Sequence, residues 1–542
     1  MLKLRHPGRL SLTTTFCLAA VTALAACSGA DTGDGDTTED KYSSNQATLL
    51  TFEFDGELVG SGGAFGDAKS LINDQMLYTI GHLNEHKAVG RLDKIELTNV
   101  KTTPDASGLS KITYHAKLPV SWGSKTSLPS TFDFTLPRDA SYEGQQAFTD
   151  KYMHTCVDFG AHDVDAGSMW YYYRPGKSGC TLATTDVVKF TAHVSKSAEN
   201  TSGKYPEYDK VWEDGALNVV AIFGKFEKTA TTDVGVDGFN AFVRAASAEL
   251  RNYGLTSVPA NVGDAPGLAH PDVTLSGTLP NGKKVNVTAL IVDEITSATP
   301  AFWTRYESLS GTADMISYNG HAGLGQNVRA LAQRGKWVKG KYVVVFMNGC
   351  DTFAYVDGSL AQTRASINAD DPTGTKYMEF VTNTMPAFFS SMPTASMSLL
   401  KGLMAESAPK TYDQIFASVD NSQIILVTGE EDNTYTPGGV TPPAGAWAGL
   451  DEKFTVAKDE EKHFTTDTLA AGTYNFTLSG TGDGDLYLKA GSDPTTTSYD
   501  CRPYKNGSAE SCAMTLKAPA KLSAMVRGYG ATSSVRLVGA KQ

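Results

Sequence analysis

The chain carries no concentrated basic patch and no basic arm. Aspartate and glutamate (59) outnumber lysine and arginine (47), for a formal net charge of −12. That balance lacks the electrostatic footprint of nucleic-acid binding, so no nucleic-acid partner is expected. Past the N-terminus no segment is long and apolar enough to span a bilayer, and no fixed-period repeat recurs. Two common hydrolytic signatures are missing as well. His82 and His86 stand at i, i+4 but lack the glutamate of a metalloprotease helix, so they read as structural. Ser317 and Ser391 sit in no nucleophile elbow. Cysteine is scarce, with seven in the chain, and that scarcity makes each one informative.

The N-terminus has the three parts of an export signal. Lys3, Arg5 and Arg9 form a basic start, Leu10 to Leu24 is mostly apolar and small, and Ala25-Ala26 precedes Cys27. Leu24-Ala25-Ala26-Cys27 resembles the lipobox of bacterial lipoproteins. The resemblance implies cleavage before Cys27, acylation of Cys27 and a lipid anchor in the membrane. Ser28 in the next position resembles outer-membrane sorting. Ordinary cleavage and free secretion is the alternative. The following residues to Gln46 are Gly/Thr/Ser-rich and acidic and read as a solvated tether.

An exported chain meets an oxidising compartment, where Cys156 with Cys180 and Cys501 with Cys512 are natural local disulfides. Cys350 is then left over. It is either an inert buried thiol or a reactive one.

The patterning predicts a multidomain chain: signal peptide 1–26, acidic tether 27–46, β-rich domain 47–205, α/β domain 206–430, Pro/Gly linker 431–447 and β-sandwich 448–542. The first domain is expected to be all-β and sandwich-like, because Thr51-Phe52-Glu53-Phe54 and Thr131-Phe132-Asp133-Phe134 alternate apolar and polar. Trp170-Tyr171-Tyr172-Tyr173 reads as strand core and surface. From Leu217 the pattern changes to continuous apolar strands alternating with helical spacings such as Phe239, Phe242, Val243, Ala246 and Leu250. That is the signature of an α/β domain with a mainly parallel sheet. Tyr377 to Phe389 and Met397 to Met404 read as helices.

Two of these strands end in similar turns. Met315-Ile316-Ser317-Tyr318-Asn319-Gly320 leads to His321, and Tyr342-Val343-Val344-Val345-Phe346-Met347-Asn348-Gly349 leads to Cys350. Residues past the carboxyl ends of neighbouring parallel strands meet in the crevice where such folds bind ligands. A Cys and a His meeting there are a nucleophile and its base. This order of elements resembles the caspase–gingipain type of cysteine peptidase and its caspase-like relatives. The resemblance implies Cys350 as nucleophile, His321 as its base, and an oxyanion held by the backbone of Cys350, Ala322 and Gly323. A protonated His321 would lower the Cys350 pKa below its free value of ~8.5. Ala322 stands where the family usually has glycine, and Gly349 where it often has alanine. Asp293, Glu294 and Asp351 lie near strand ends and would favour basic substrates if exposed.

The C-terminal stretch resembles the bacterial pre-peptidase C-terminal domain through Gly482-Asp483-Gly484-Asp485-Leu486-Tyr487-Leu488, Tyr499-Asp500-Cys501-Arg502-Pro503 and Val526-Arg527-Gly528-Tyr529. That implies a β-sandwich found on secreted peptidases. No cofactor is expected. Calcium is a weak candidate at Asp483 and Asp485, which also suit plain turns. His154, His162, Asp163 and Asp165 match no zinc spacing. The expected function is a membrane-anchored extracytoplasmic cysteine endopeptidase acting on protein or peptide substrates. The alternatives are a non-catalytic surface lipoprotein used in adhesion or partner binding, and a precursor whose terminal domains are removed.

Overall fold

The computed structural model describes residues 41–542 apart from 62–66, 107, 160, 162–163, 356–357, 430–432, 434, 438–449, 467–468, 470, 518–519 and 542. The signal peptide, Cys27, most of the tether, His162 and Asp163 lie outside the described residues. So does most of the linker. No helix among the described residues is long and apolar enough to cross a membrane.

Among the described residues fifteen strands precede the linker: β1 Ser43–Ser44, β2 Thr48–Gly60, β3 Ala88–Gly90, β4 Glu96–Pro104, β5 Ser110–Trp122, β6 Thr131–Pro137, β7 Val187–Lys196, β8 Ala216–Gly224, β9 Thr256–Val258, β10 Asp272–Thr278, β11 Lys284–Val292, β12 Met315–Asn319, β13 Val343–Asn348, β14 Met378–Asn383 and β15 Ile425–Gly429. Strands β3-β5-β2-β7-β6 form one antiparallel sheet, with β4 also on β5. Along β2 buried and less buried residues largely alternate, which covers one face only.

This N-terminal region differs from the expected all-β sandwich. One sheet carries helices, the longest spanning Ala68–Asn84. Asp67 caps that helix by accepting from Ser70 N. The helix escapes sequence detection because it is buried on almost every side in its second half, from Tyr78 to Asn84, so no polar face marks its period. Trp170 and Tyr171 are helical too, in a short turn from Met169 to Tyr172. Gly81 lets the two helices touch: a Cβ there would lie 2.4 Å from the Trp170 carbonyl oxygen.

The central sheet has the order β1-β15-β14-β13-β12-β8-β11-β10-β9. Strands β11, β8, β12, β13 and β14 run parallel, while β15 and β10 join antiparallel at either side. Strands β12, β13 and β14 are buried along their whole length. Helices Val234–Leu250 and Met392–Met404 cover one face. The other face shares a continuous apolar core with the N-terminal sheet, in which Ile316, Val345 and Met347 join Phe52, Leu118 and Trp170. Tyr377 to Phe389, expected as a helix, contains β14 and then a loop. A fully buried apolar run has no period to separate strand from helix.

The described C-terminal residues form seven strands, β16 Leu450–Ala457, β17 Glu461–Thr465, β18 Gly472–Thr481, β19 Gly484–Ala490, β20 Glu510–Leu516, β21 Leu522–Gly528 and β22 Thr532–Lys541. Sheets β16-β22-β18-β20 and β17-β21-β19 enclose one core of Phe476, Leu486, Leu488, Val526 and Leu537. Cys501 and Cys512 are disulfide-bonded, as are Cys156 and Cys180.

Candidate active site

In the central sheet the chain passes from β8 to β11 on one side and then returns to β12 on the other. Strand order therefore reverses at β8, and ligands favour the carboxyl ends of strands at such a switch point. The residues after β8, β12 and β13 meet there. Asn319 and Asn348 are register partners, so Gly320-His321 and Gly349-Cys350 leave the sheet side by side. Gly349 makes this approach feasible: a Cβ at that position would lie 2.7 Å from the Gly320 carbonyl oxygen. Non-glycine residues with positive φ follow in both turns, Leu324 at 49° and Asp351 at 52°.

A buried amide ladder braces the two turns from below. Asn348 Nδ2 donates to Asn319 Oδ1 at 2.9 Å, and Ser396 Oγ donates to the same oxygen at 2.7 Å. Asn383 Nδ2 donates to Asn348 Oδ1 and to the Gly349 carbonyl, each at 3.2 Å. Gln423 Nε2 closes the ladder on Asn383 Oδ1 at 3.0 Å. Buried and satisfied, these amides hold both turns rigidly.

His321 is exposed, but its backbone is pinned. Its carbonyl accepts from Tyr318 Oη at 2.8 Å and from Asn327 Nδ2 at 2.7 Å. The ring Nε2 lies 3.1 Å from the Phe226 carbonyl oxygen. A carbonyl only accepts, so Nε2 carries the proton and the Nδ1 lone pair is free in the neutral ring. Phe226 and Phe389 flank the imidazole at 5.2 and 5.1 Å between centroids.

Cys350 lies in a different environment. It is half-buried and is the free cysteine among the described residues. Its thiol donates to the Ala387 carbonyl at 3.8 Å. Burial, followed by the neighbouring Asp351 carboxylate, pushes the thiol up to about 12. No hydrogen bond joins it to His321. The expected lowering of the Cys350 pKa by His321 is thus corrected: desolvation and a like-signed neighbour prevail over an imidazole that bonds elsewhere. Asp351 is itself fully buried and raised to about 6, mainly by desolvation. Asn84 Nδ2 donates to its Oδ1 at 2.7 Å, and the Tyr171 hydroxyl also bears on the carboxylate.

The surroundings of Cys350 and Asp351 come partly from residues that sequence reasoning missed. Tyr171 faces both Cys350 and Asp351, and Trp170 packs edge-on against Tyr355 at 6.4 Å. Tyr171 and Asn84 belong to the N-terminal region. The Cys156–Cys180 disulfide closes the loop that carries Tyr171. Of the acids expected to favour basic substrates, Asp293 pairs with buried Lys225 at 2.8 Å, Glu294 pairs with Lys228 at 3.2 Å, and Asp351 is interior. Ala322 is buried and Gly323 begins a short 3-10 turn.

Elsewhere, His82 is buried among Phe132, Phe134 and Tyr173, and burial lowers its pKa to about 3. His86 stacks on Trp122. Ser317 is buried and accepts from Asn319 Nδ2, while Ser391 Oγ donates to the Phe388 carbonyl. Asp165 holds Ser168, and His154 lies exposed near the disulfide loop. Asp485 accepts from Arg502 at 2.7 Å, and Asp483 accepts from Gly507 N at 2.8 Å. Among the described residues no group of three or more His, Cys, Asp or Glu is arranged to hold a metal.

Residues 461–527 match the family model of the bacterial pre-peptidase C-terminal domain, so the C-terminal sandwich is a domain of that family. The neutral protease of Vibrio proteolyticus is 38% identical over 104 residues, covering 18% of this chain and 17% of that protein. The zinc metalloprotease of Helicobacter pylori is 38% identical over 104 residues, covering 18% of this chain and 41% of that protein. The chain therefore spans less than half the length of these curated relatives. A solution structure titled vEP C-ter 100 is 42% identical, covering 16% of this chain and 85% of its own, with a TM-score of 0.15.

Proposed function

We propose that the protein is an exported cysteine peptidase of the caspase–gingipain type, with Cys350 as nucleophile and His321 as its base, held latent in this conformation. One observation carries the reading: imidazole and thiol follow register-paired ends of adjacent parallel strands, beside the reversal of strand order. The protonation of His321 agrees with it, since Nε2–H on the Phe226 carbonyl leaves Nδ1 to take a proton. In the reaction the Cys350 thiol passes its proton to His321 and its sulfur bonds to the scissile carbonyl carbon. The tetrahedral oxygen finds donors in the backbone N–H groups of Cys350, Ala322 and Gly323. His321 protonates the leaving amine, and water then hydrolyses the thioester. Latency follows from the thiol's environment, and activity requires Tyr171 to draw back from the thiol.

The relatives carry protease names, and a peptidase role is what those names have in common. Their matched stretches cover under a fifth of this chain, so their catalytic type is taken as theirs alone. Export follows from the N-terminal signal, and acylation of Cys27 would anchor the mature protein at the outer membrane or cell surface. Mass analysis of the mature N-terminus tests that anchor.

The thiol at about 12 favours a second reading, in which the same scaffold is catalytically silent and serves adhesion or partner binding. Hydrolysis of a diverse peptide mixture decides between them. Cys350→Ala is expected to abolish cleavage while preserving the fold; cleavage by Cys350→Ala at the parent rate would refute the mechanism.

A further inference from the structure

The rim of the site is aromatic where a charge-selective pocket would need a free charge. Phe226, just after β8, is 47% exposed, and Phe388, in the loop after β14, is 60% exposed. Phe226 keeps that much of its surface open while lying against the His321 ring, and Phe388 is the sequence neighbour of the second ring on His321, Phe389. Phe226 and Phe389 pack edge-to-face at 5.5 Å with the His321 ring against both. The loop carrying Phe388 and Phe389 also supplies the Ala387 carbonyl that receives the Cys350 thiol. One short segment therefore borders both reacting groups, and a peptide spanning them must lie along 387–389. The nearby charges are already matched, Lys225 with Asp293 and Lys228 with Glu294.

We infer that Phe226, Phe388 and Phe389 form the side-chain subsite of this peptidase and that it selects a large apolar or aromatic residue next to the scissile bond. The inference rests on the peptidase reading above and goes further by naming the substrate class. A charged side chain placed here would lose hydration without gaining a counter-charge. An aromatic one would bury area against the Phe226 and Phe389 rings, with edge-to-face contact favoured. The expected discrimination is about tenfold to a hundredfold.

The test is equilibrium binding to the full-length Cys350→Ala protein, which cannot turn substrate over. Fluorescein-labelled capped peptides identical except for one Phe, Arg or Asp are titrated by fluorescence polarisation. The Phe peptide is expected to bind at least tenfold tighter than the other two. Phe388→Ala, at an exposed position that leaves the fold intact, is expected to remove most of that advantage and leave the Arg peptide unchanged. Tighter binding of the Arg or Asp peptide, an advantage that survives Phe388→Ala, or no binding of any peptide overturns the subsite. Cleavage by the unsubstituted protein is scored separately. Selective binding without cleavage defeats the peptidase reading and keeps the subsite, whereas cleavage after basic residues does the reverse.

Discussion

Ionisation of the Cys350 thiol offers the sharpest quantitative test. In the folded protein the thiol is pushed up to about 12, first by burial and then by Asp351. An unperturbed thiol titrates at ~8.5. At pH 7.5 the thiolate fraction of a free cysteine is roughly one in ten; at about 12 it is roughly three in 100,000, about 3,000-fold lower. Alkylation rate follows thiolate concentration, so native Cys350 should react with iodoacetamide about three orders of magnitude more slowly than the same residue in unfolded protein. The assay is the pseudo-first-order rate of Cys350 labelling, followed by mass spectrometry of its peptide from pH 6 to 10.5. The rate should rise about tenfold per pH unit across that range without a plateau. Tyr171→Ala opens one wall to water and should raise the neutral rate at least tenfold, since desolvation is the larger cause. A plateau below pH 8, or a native rate within tenfold of the unfolded one at neutral pH, would refute the argument from burial.

Three further outcomes are expected. Gly349→Ala forces a Cβ to within 2.7 Å of the Gly320 carbonyl oxygen, and displacing backbone there should cost about 1–3 kcal/mol in urea unfolding and disable hydrolysis. Asp351 is raised to about 6 in the fold, above an ordinary ~3.9, so folding favours its protonated form and stability falls as pH rises from ~4 to ~6; Asp351→Asn should stabilise the protein at pH 7 by about 1–3 kcal/mol and flatten that dependence, with Asn84 still able to donate to the amide oxygen. Replacing Cys156 and Cys180 by serine frees a loop with a sequence separation of 24 and should remove about 3 kcal/mol, read as a lower melting temperature together with faster Cys350 labelling.

Legibility in the sequence varied for identifiable reasons. The apolar run of β8 and the spacing of the Val234–Leu250 helix are local patterns and stand where they were expected. The Asn-Gly steps before His321 and Cys350 read as turns, but the amide ladder joining Asn319, Asn348, Asn383 and Gln423 does not, because it exists only after four distant segments align. The second half of the Ala68–Asn84 helix and the whole of β14 escape a periodic reading for one shared cause: both are buried nearly all round. Periodicity reports contrast between a wet and a dry face, and neither has one.

The sequence alone reads as an N-terminal export signal and shows two short-range cysteine pairs, an odd thiol and a matching histidine at strand ends, and a C-terminal domain of recognisable family. Each is written in a few adjacent residues whose chemistry or spacing is enough. Tertiary structure decided that Tyr171 and Asp351 lie beside the thiol with Asn84 holding Asp351, that His321 turns its Nε2 to Phe226, and that Phe226 and Phe389 pack on the imidazole. Desolvation and ring contact are set by whatever surrounds a group in space. Those surroundings come from segments far apart along the chain, so no local pattern encodes them.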